Sequence, residues 1–246
     1  MKLNCDLGES FGAWTMGRDE DVMPLIDMAN VACGFHASDP TIMHRTVELA
    51  VSHNVVIGAH PAYLDLHGFG RRSIPHTAEQ VRALIWYQVG ALQGICRAHG
   101  ATVQYVKPHG ALNNDMMRDD DLLQSVMDAI ATYDRRLSLM MPVTTRYEAH
   151  QSMADERGLS LILEAFADRA YDDEGQLVSR REPNAVHHDP DKIVRQAVGF
   201  AEYDGVESHS GQWLTLPATS LCVHGDNEQS LAAVRSIRDA LGTRRA

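Results

Sequence analysis

Side chains able to exchange protons, hold a metal ion or bind an anion recur at one kind of place in this chain, just after short apolar runs. Asp6 and Glu9 follow the first run, His36 and Asp39 the second, His60 and Asp65 the third, and Lys107 and His109 the fourth. Glu164 and Asp168 follow the sixth run, and His224 and Asp226 the last. If the runs are parallel strands, these positions are their carboxyl ends, where α/β folds assemble active sites. Any one histidine could merely satisfy a buried backbone group. Four of the 13 at equivalent positions argue for one shared site.

The clusters differ in the chemistry they offer. Gly34-Phe35-His36 and Ala59-His60-Pro61 each hold an imidazole on a turn whose glycine or proline fixes the backbone. With the Asp6 carboxylate, His36 and His60 supply the ligand types of a divalent metal site that keeps one position open for water. Without a metal, the same groups are hydrogen-bonders and proton carriers. Lys107 is one of three lysines among the 22 basic residues, so it does not come from an abundant pool. It suits a compact cation facing an oxyanion or phosphoryl group, or a base with a shifted pKa; a structural salt bridge to Glu164 is the alternative. His109, two residues on, suits a general acid or base. Arg71 and Arg72 close a Gly-Phe-Gly loop and suit capture of a substrate carboxylate or phosphate; a solvated pair before a helix is the bland reading. Asp119-Asp120-Asp121 reads as a helix N-terminus and His187-His188 as a surface turn. Met116, Met117 and Met127 read as packing.

The elements that must carry these groups follow from periodicity. Short, mostly apolar runs near 2–6, 29–34, 55–59, 102–107, 137–142, 160–165 and 219–224 predict parallel strands covered on both faces. The spacing predicts a helix over 78–97, with Thr77 and Gln80 as its capping box. Another runs from Asp39-Pro40 to about His53. Further helices centre on Leu122–Ile130, Ile193–Phe200 and Leu231–Ile237, the last ending before Gly242. Seven strands with helical crossovers predict one α/β domain over residues 1–246, a closed or nearly closed, irregular β/α barrel, with an open doubly wound sheet as the alternative. Neither a dinucleotide-binding glycine turn nor a G-x-x-x-x-G-K-[ST] phosphate loop is present.

Composition narrows the partners. A formal charge of −11 argues against nucleic acid and against an anionic membrane surface, both of which need a basic face. No run approaches the roughly 20 apolar residues of a membrane span, and the first residues lack the apolar core of a secretion signal. The four cysteines fit neither a zinc module nor a disulfide framework, so free thiols in a cytoplasmic protein are expected.

Several of these stretches, taken in order, resemble the LamB/YcsF family of 5-oxoprolinase A subunits. They are Asn4-Cys5-Asp6-Leu7-Gly8-Glu9, Asn30 to His36, Gly58-Ala59-His60-Pro61, Gly68 to Arg72, Val106 to Leu112, Glu164 to Tyr171 and Cys222 to Asn227. The resemblance runs from residue 3 to about 240. It implies an irregular seven-stranded barrel of the glycoside hydrolase/deacetylase type. It also implies ATP-dependent hydrolysis of the 5-oxoproline lactam to L-glutamate, with ATP as a Mg-bound co-substrate and B and C subunits as partners. On that reading Asp6, Glu9, Lys107, His109 and Asp168 are catalytic, and Arg71, Arg72, Glu164, His224 and Asp226 bind substrate. A metal, where present, is held by Asp6, His36 and His60. Two positions depart from the family pattern: Ser38, where glycine is usual, and Asn113, where tyrosine is usual. The rival readings are a metal-dependent carbohydrate deacetylase and a substrate-binding subunit without catalysis of its own.

Overall fold

The computed structural model describes residues 1–225 and 227–242. Its strands are β1 (Lys2–Leu7), β2 (Met28–Ala32), β3 (Val56–His60), β4 (Val103–Val106), β5 (Ser138–Pro142) and β6 (Ser160–Phe166), then β7 (Gly205–Glu207), β8 (Trp213–Thr215) and β9 (Ser220–Cys222). β1 to β6 and β9 form a closed, parallel barrel in that order, with β9 pairing both β6 and β1. The barrel is therefore seven-stranded, as expected, and each expected run falls on one of its strands. β7 and β8 form a separate antiparallel ribbon. The helices are α1 (Asp19–Val22), α2 (Pro40–Ser52), α3 (Ala78–Ala98), α4 (Gly110–Met116), α5 (Asp120–Tyr133), α6 (Tyr147–Asp155), α7 (Pro190–Tyr203) and α8 (Glu228–Ala240).

Local chemistry sets the helix starts. The Asp39 carboxylate accepts from the amides of Thr41 and Ile42, and Pro40 occupies the first helical position, where its missing N–H costs nothing. Thr77 and Gln80 form the reciprocal capping box in front of α3, and Asp119 caps α5. Gly242 has φ of +57°, the left-handed conformation expected just past the end of α8. The short α4, the polar α6 and the ribbon were not legible in the sequence. α4 has seven residues, too few to show a period, and α6 buries only His150 and Ala154.

The strands read as continuous apolar runs because both of their faces are buried. Leu3, Cys5, Ala29, Val31, Ile57, Ala59, Leu139, Leu163 and Leu221 belong to the large cluster that also holds the apolar faces of the helices. Met28, Tyr105 and Met140, with Val56 and Ile162 against them, form a second, small cluster on the other face. Gly58 faces Tyr105 across the β3–β4 register, and a Cβ there would lie 2.1 Å from the Tyr105 ring. α3 does more than cover the barrel. The buried Gln88 donates to the Ala62 carbonyl and accepts from the Ala62 amide, both at 2.9 Å, and so pins the turn that carries His60.

Overpacking a core typically costs about 1–3 kcal/mol. Gly58→Ala should reach or exceed the top of that range, because the ring it strikes is anchored through its hydroxyl to Asn30. Adding Tyr105→Leu should recover part of the loss. Guanidinium unfolding of both variants checks this, and a Gly58→Ala protein as stable as the parent would refute the packing account.

Candidate active site

Period-two alternation along the strands sends one set of side chains into the barrel, and towards the carboxyl ends that set becomes polar. Asn4 and Asp6 on β1, Asn30 on β2, Tyr105 and Lys107 on and after β4, Glu164 on β6 and Ser220 and Cys222 on β9 meet there. Asn30 is fully used: its carbonyl oxygen accepts from the Tyr105 hydroxyl at 2.7 Å, and its amide donates to Asn4 at 2.8 Å and to Asp6 Oδ1 at 2.7 Å. Asn4 in turn donates to Ser220 Oγ at 2.8 Å. This relay holds the Asp6 carboxylate in one orientation.

Lys107 is the hub. Its ammonium lies 2.9 Å from Asp6 Oδ1 and 2.7 Å from Glu164 Oε1, with Asn4 Oδ1 at 3.4 Å. The lysine and Glu164 are buried, whereas the Asp6 side chain keeps 24% exposure towards the cavity above. Burial works against the ammonium, but the carboxylates of Asp6 and Glu164 hold its pKa well above the ordinary lysine value. Burial likewise opposes ionisation of Asp6, and His60 and Lys107 outweigh it, so Asp6 stays charged well below the usual carboxylate range. The Lys107–Glu164 salt bridge and a role towards a developing anion are thus compatible: the ion pair keeps the lysine a cation.

Beside this triad stands a group of imidazoles. His36 and His109 are stacked, with ring centroids 3.7 Å apart and planes within 7°, and His60 meets both edge-on. Glu9 Oε1 lies 3.5 Å from His36 Nε2 and 3.9 Å from His109 Nδ1. Ligand atoms of Glu9, His36, His60 and His109 all fall within 4.8 Å of one another. Asp6 borders this group, 3.4 Å from His60 Nε2, with its other oxygen committed to Lys107 and Asn30. Burial first, and the neighbouring imidazoles second, hold His36 and His109 far below the ordinary histidine value, so both rings are neutral at pH 7.

Glycines permit this crowding. Gly70, at φ +64°, would place a Cβ 2.8 Å from carbons of His36 and His109; Gly110, at φ +54°, would place one 2.5 Å from the Gly70 carbonyl. Ser38 also has a positive φ of 73°, the backbone reason for glycine to be usual at this position in the family pattern.

The remaining candidates divide. His224 Nδ1 pairs with Asp168 Oδ2 at 2.9 Å, and Asp168 Oδ1 is buried without a hydrogen-bond partner among the described residues. Both line a cavity of about 880 Å³ that Asp6, Glu9 and Arg71 also line and that α7 and α8 wall off on its far side. Arg71 lies over the Phe69 ring at 5.6 Å. Arg72 instead pairs with Asp65, away from the cavity lining. Asp39 is a helix cap and Asp65 an arginine clamp, so neither joins the site. His187, expected on the surface, is buried and lines the cavity: its amide donates to the Asp168 carbonyl at 2.7 Å, drawing the segment inwards. Asp226 lies outside the described residues. Sequence reasoning assigned no part to Asn4, Asn30 or Tyr105. Their signal is a polar group repeated at inward positions of otherwise apolar strands.

The family model for LamB/YcsF matches residues 1–246. This chain belongs to the LamB/YcsF family. A LamB/YcsF relative from Chromohalobacter salexigens, named as the A subunit of 5-oxoprolinase, is 58% identical over 238 residues, covering 97% of this chain and 95% of its own. One of the same name from Pseudomonas fluorescens (strain Pf0-1) is 57% identical over 244 residues, covering 99% and 98%. The crystal structure of a lactam utilization protein from Thermus thermophilus superposes with a TM-score of 0.91 at 37% identity, covering 98% of this chain and 96% of that one.

Lys107→Met would leave two carboxylates facing each other in the LamB/YcsF barrel, a loss of about 3–5 kcal/mol at neutral pH. In the parent, the depressed Asp6 pKa contributes stability that is present above the unfolded value and lost as pH falls towards the folded one. In the variant one of the cations that keep Asp6 charged is gone while its burial remains, so the stability the parent loses on going from neutral to acid pH shrinks. Unfolding curves at several pH values check this; the same pH slope in both proteins would contradict it.

Proposed function

We propose that this chain is the A subunit of a cytoplasmic 5-oxoprolinase, hydrolysing the lactam of 5-oxo-L-proline to L-glutamate with cleavage of ATP to ADP and phosphate, together with B and C subunits. The observation that carries this reading is identity of 57–58% over nearly the whole chain to proteins named as the A subunit of 5-oxoprolinase. No helix among the described residues is long and apolar enough to cross a membrane.

The chemistry asks for activation. A lactam amide resists water and recloses easily, so the amide oxygen is first phosphorylated: its bond to the γ-phosphorus forms as the bond to ADP breaks. Water adds to the activated ring carbon, and the carbon–nitrogen bond breaks as the nitrogen gains a proton. This leaves a γ-glutamyl phosphate, which a second water cleaves to glutamate and phosphate. Mg2+ accompanies ATP and neutralises phosphate charge.

Each demand has a matching group. Asp6 Oδ2, which faces His60 Nε2 at 3.4 Å, orients the attacking water beside the cavity. The fixed ammonium of Lys107, held by Glu164, stabilises negative charge developing on the amide or phosphoryl oxygen. His224, paired with Asp168 on the cavity wall, moves the proton to the ring nitrogen. That role suits it better than His109, whose Nε2 faces the Phe69 carbonyl and whose Nδ1 faces His60, each at 2.9 Å. Arg71 receives the substrate carboxylate, whereas Arg72 is occupied by Asp65. Glu9 belongs with the imidazoles.

The imidazole and carboxylate cluster favours one rival, a metal-dependent carbohydrate deacetylase, which would release acetate without ATP. The deciding assay measures glutamate release from 5-oxoproline with and without ATP, and with and without the partner subunits. Release that requires ATP and the partners is expected. Asp6→Asn should lower turnover by at least about 100-fold, on the scale of removing one preorganised polar group, and should leave the folded structure intact by circular dichroism. No glutamate under any combination of folded proteins, with acetate released from acetylated sugars, would replace this reading by the deacetylase.

A further inference from the structure

The histidine group poses a problem in hydrogen bonding that no single group among the described residues solves for all three rings. His60 Nδ1 lies 2.6 Å from the carbonyl oxygen of Lys107, and a carbonyl only accepts, so that nitrogen carries the proton. The same logic places the His109 proton on Nε2, 2.9 Å from the Phe69 carbonyl. The two nitrogens left over, His60 Nε2 and His109 Nδ1, then face each other at 2.9 Å, with the Asp6 Oδ2 acceptor 3.4 Å from His60 Nε2, so a proton or a metal ion has to lie among them. Two acceptors at that distance repel unless a cation lies between or beside them. Next to them, both ring nitrogens of the fully buried His36 lack a hydrogen-bond partner among the described residues, although imidazole nitrogens are costly to bury unpaired.

We propose that Glu9, His36, His60 and His109 form a binding site for one divalent first-row transition-metal ion of the zinc class, separate from the Mg2+ that accompanies ATP. Three imidazole nitrogens and one carboxylate oxygen are the donors such ions prefer, whereas Mg2+ takes oxygen. A shared proton would answer the His60–His109 contact alone and leave His36 unsatisfied; a metal ion answers all three rings. The outward nitrogens of His60 and His109 are already fixed by backbone carbonyls, the arrangement that orients metal-binding histidines. Asp6 is outside the ligand set because one of its oxygens is held by Lys107 and Asn30. With metal–ligand distances of about 2.0–2.2 Å, four tetrahedral ligand atoms stand roughly 3.3–3.6 Å apart. Binding therefore draws in ligand atoms now as much as 4.8 Å apart and widens the His60–His109 contact from 2.9 Å.

The site stands on its own geometry and not on the lactam reading, and its test reads metal content, so either can fail without the other. The untagged full-length chain, purified without chelator, is analysed by plasma mass spectrometry, then stripped and titrated with Co2+ while visible d–d absorption is followed. One transition-metal ion per chain is expected. Removing a direct ligand should exceed the roughly 10–100-fold loss that follows removal of a supporting residue, so His36→Gln and Glu9→Gln should each weaken Co2+ binding by at least about 100-fold. Asp6→Asn should keep the ion. Circular dichroism and thermal unfolding of every variant establish that it is folded. Folded parent protein that carries no transition metal and binds no Co2+ would overturn the site in favour of a shared proton. Retention of the ion by Glu9→Gln with loss in Asp6→Asn would overturn the ligand set in favour of Asp6, His36 and His60.

Discussion

An ammonium buried in the mouth of a barrel has to be neutralised from more than one side, and the placement of Lys107 between Asp6 and Glu164 governs much of the surrounding architecture. Taking each ion out of water costs several kcal/mol. A contact near 2.8 Å returns about 6 kcal/mol at an effective dielectric of about 20, so the arrangement is favourable only while both contacts hold. Asp6 arrives on β1, Lys107 at the end of β4 and Glu164 on β6, so the charges tie together three strands that are not neighbours. Closure through β9, which bonds both β6 and β1, brings two of these strands to the same side. The Asn30–Asn4–Ser220 relay below the triad then fixes the Asp6 orientation and uses up donors and acceptors that the apolar interior could not satisfy.

The imidazole group depends on a different constraint, which is space. Three rings and a carboxylate converge only because Gly70 and Gly110 bring their backbones where any Cβ would collide. Gln88 holds the turn after His60 from the helix side. The loop following β3 therefore serves two purposes. Gly70 gives room to His36 and His109, and Arg72, clamped on Asp65, sets the end from which Arg71 reaches the cavity.

Much of this was legible in the sequence because one physical regularity, parallel strands ending in polar turns, fixes both fold and site. All seven barrel strands fell where apolar runs were read, and their carboxyl ends supplied Asp6, His36, His60, Lys107, His109, Glu164, Asp168 and His224. What stayed hidden depends on which way neighbouring side chains turn. Asp6 and Glu9 are three residues apart, and nothing in their spacing says that one pairs with Lys107 and the other approaches His36 and His109. Arg71 and Arg72 are adjacent, yet one lines the cavity and the other binds Asp65. The barrel's interior was also hidden, because strands covered on both faces show no alternation until an asparagine or a tyrosine interrupts them. His187 was read as exposed because a pair of histidines looks solvated, whereas its backbone bond to Asp168 and its side-chain bond with Gln196 draw it in.

The two halves of the site meet at Asp6, and the carboxylate's two oxygens explain why an aspartate suits that corner. Oδ1 accepts from Lys107 and Asn30, while Oδ2 faces His60 Nε2 at 3.4 Å and the cavity beyond. An amide here would have to turn its oxygen towards Lys107 and Asn30, which both donate, and its NH2 would then occupy the Oδ2 position. That position would change from acceptor to donor with almost no change in shape. A glutamate would reach further by one methylene and could not keep Oδ1 in the Asn30 relay without displacing the lysine. The strand-end position, the buried cation and the imidazole cluster thus converge on one short, charged side chain whose Oδ2 is the acceptor that Asp6 presents to the cavity.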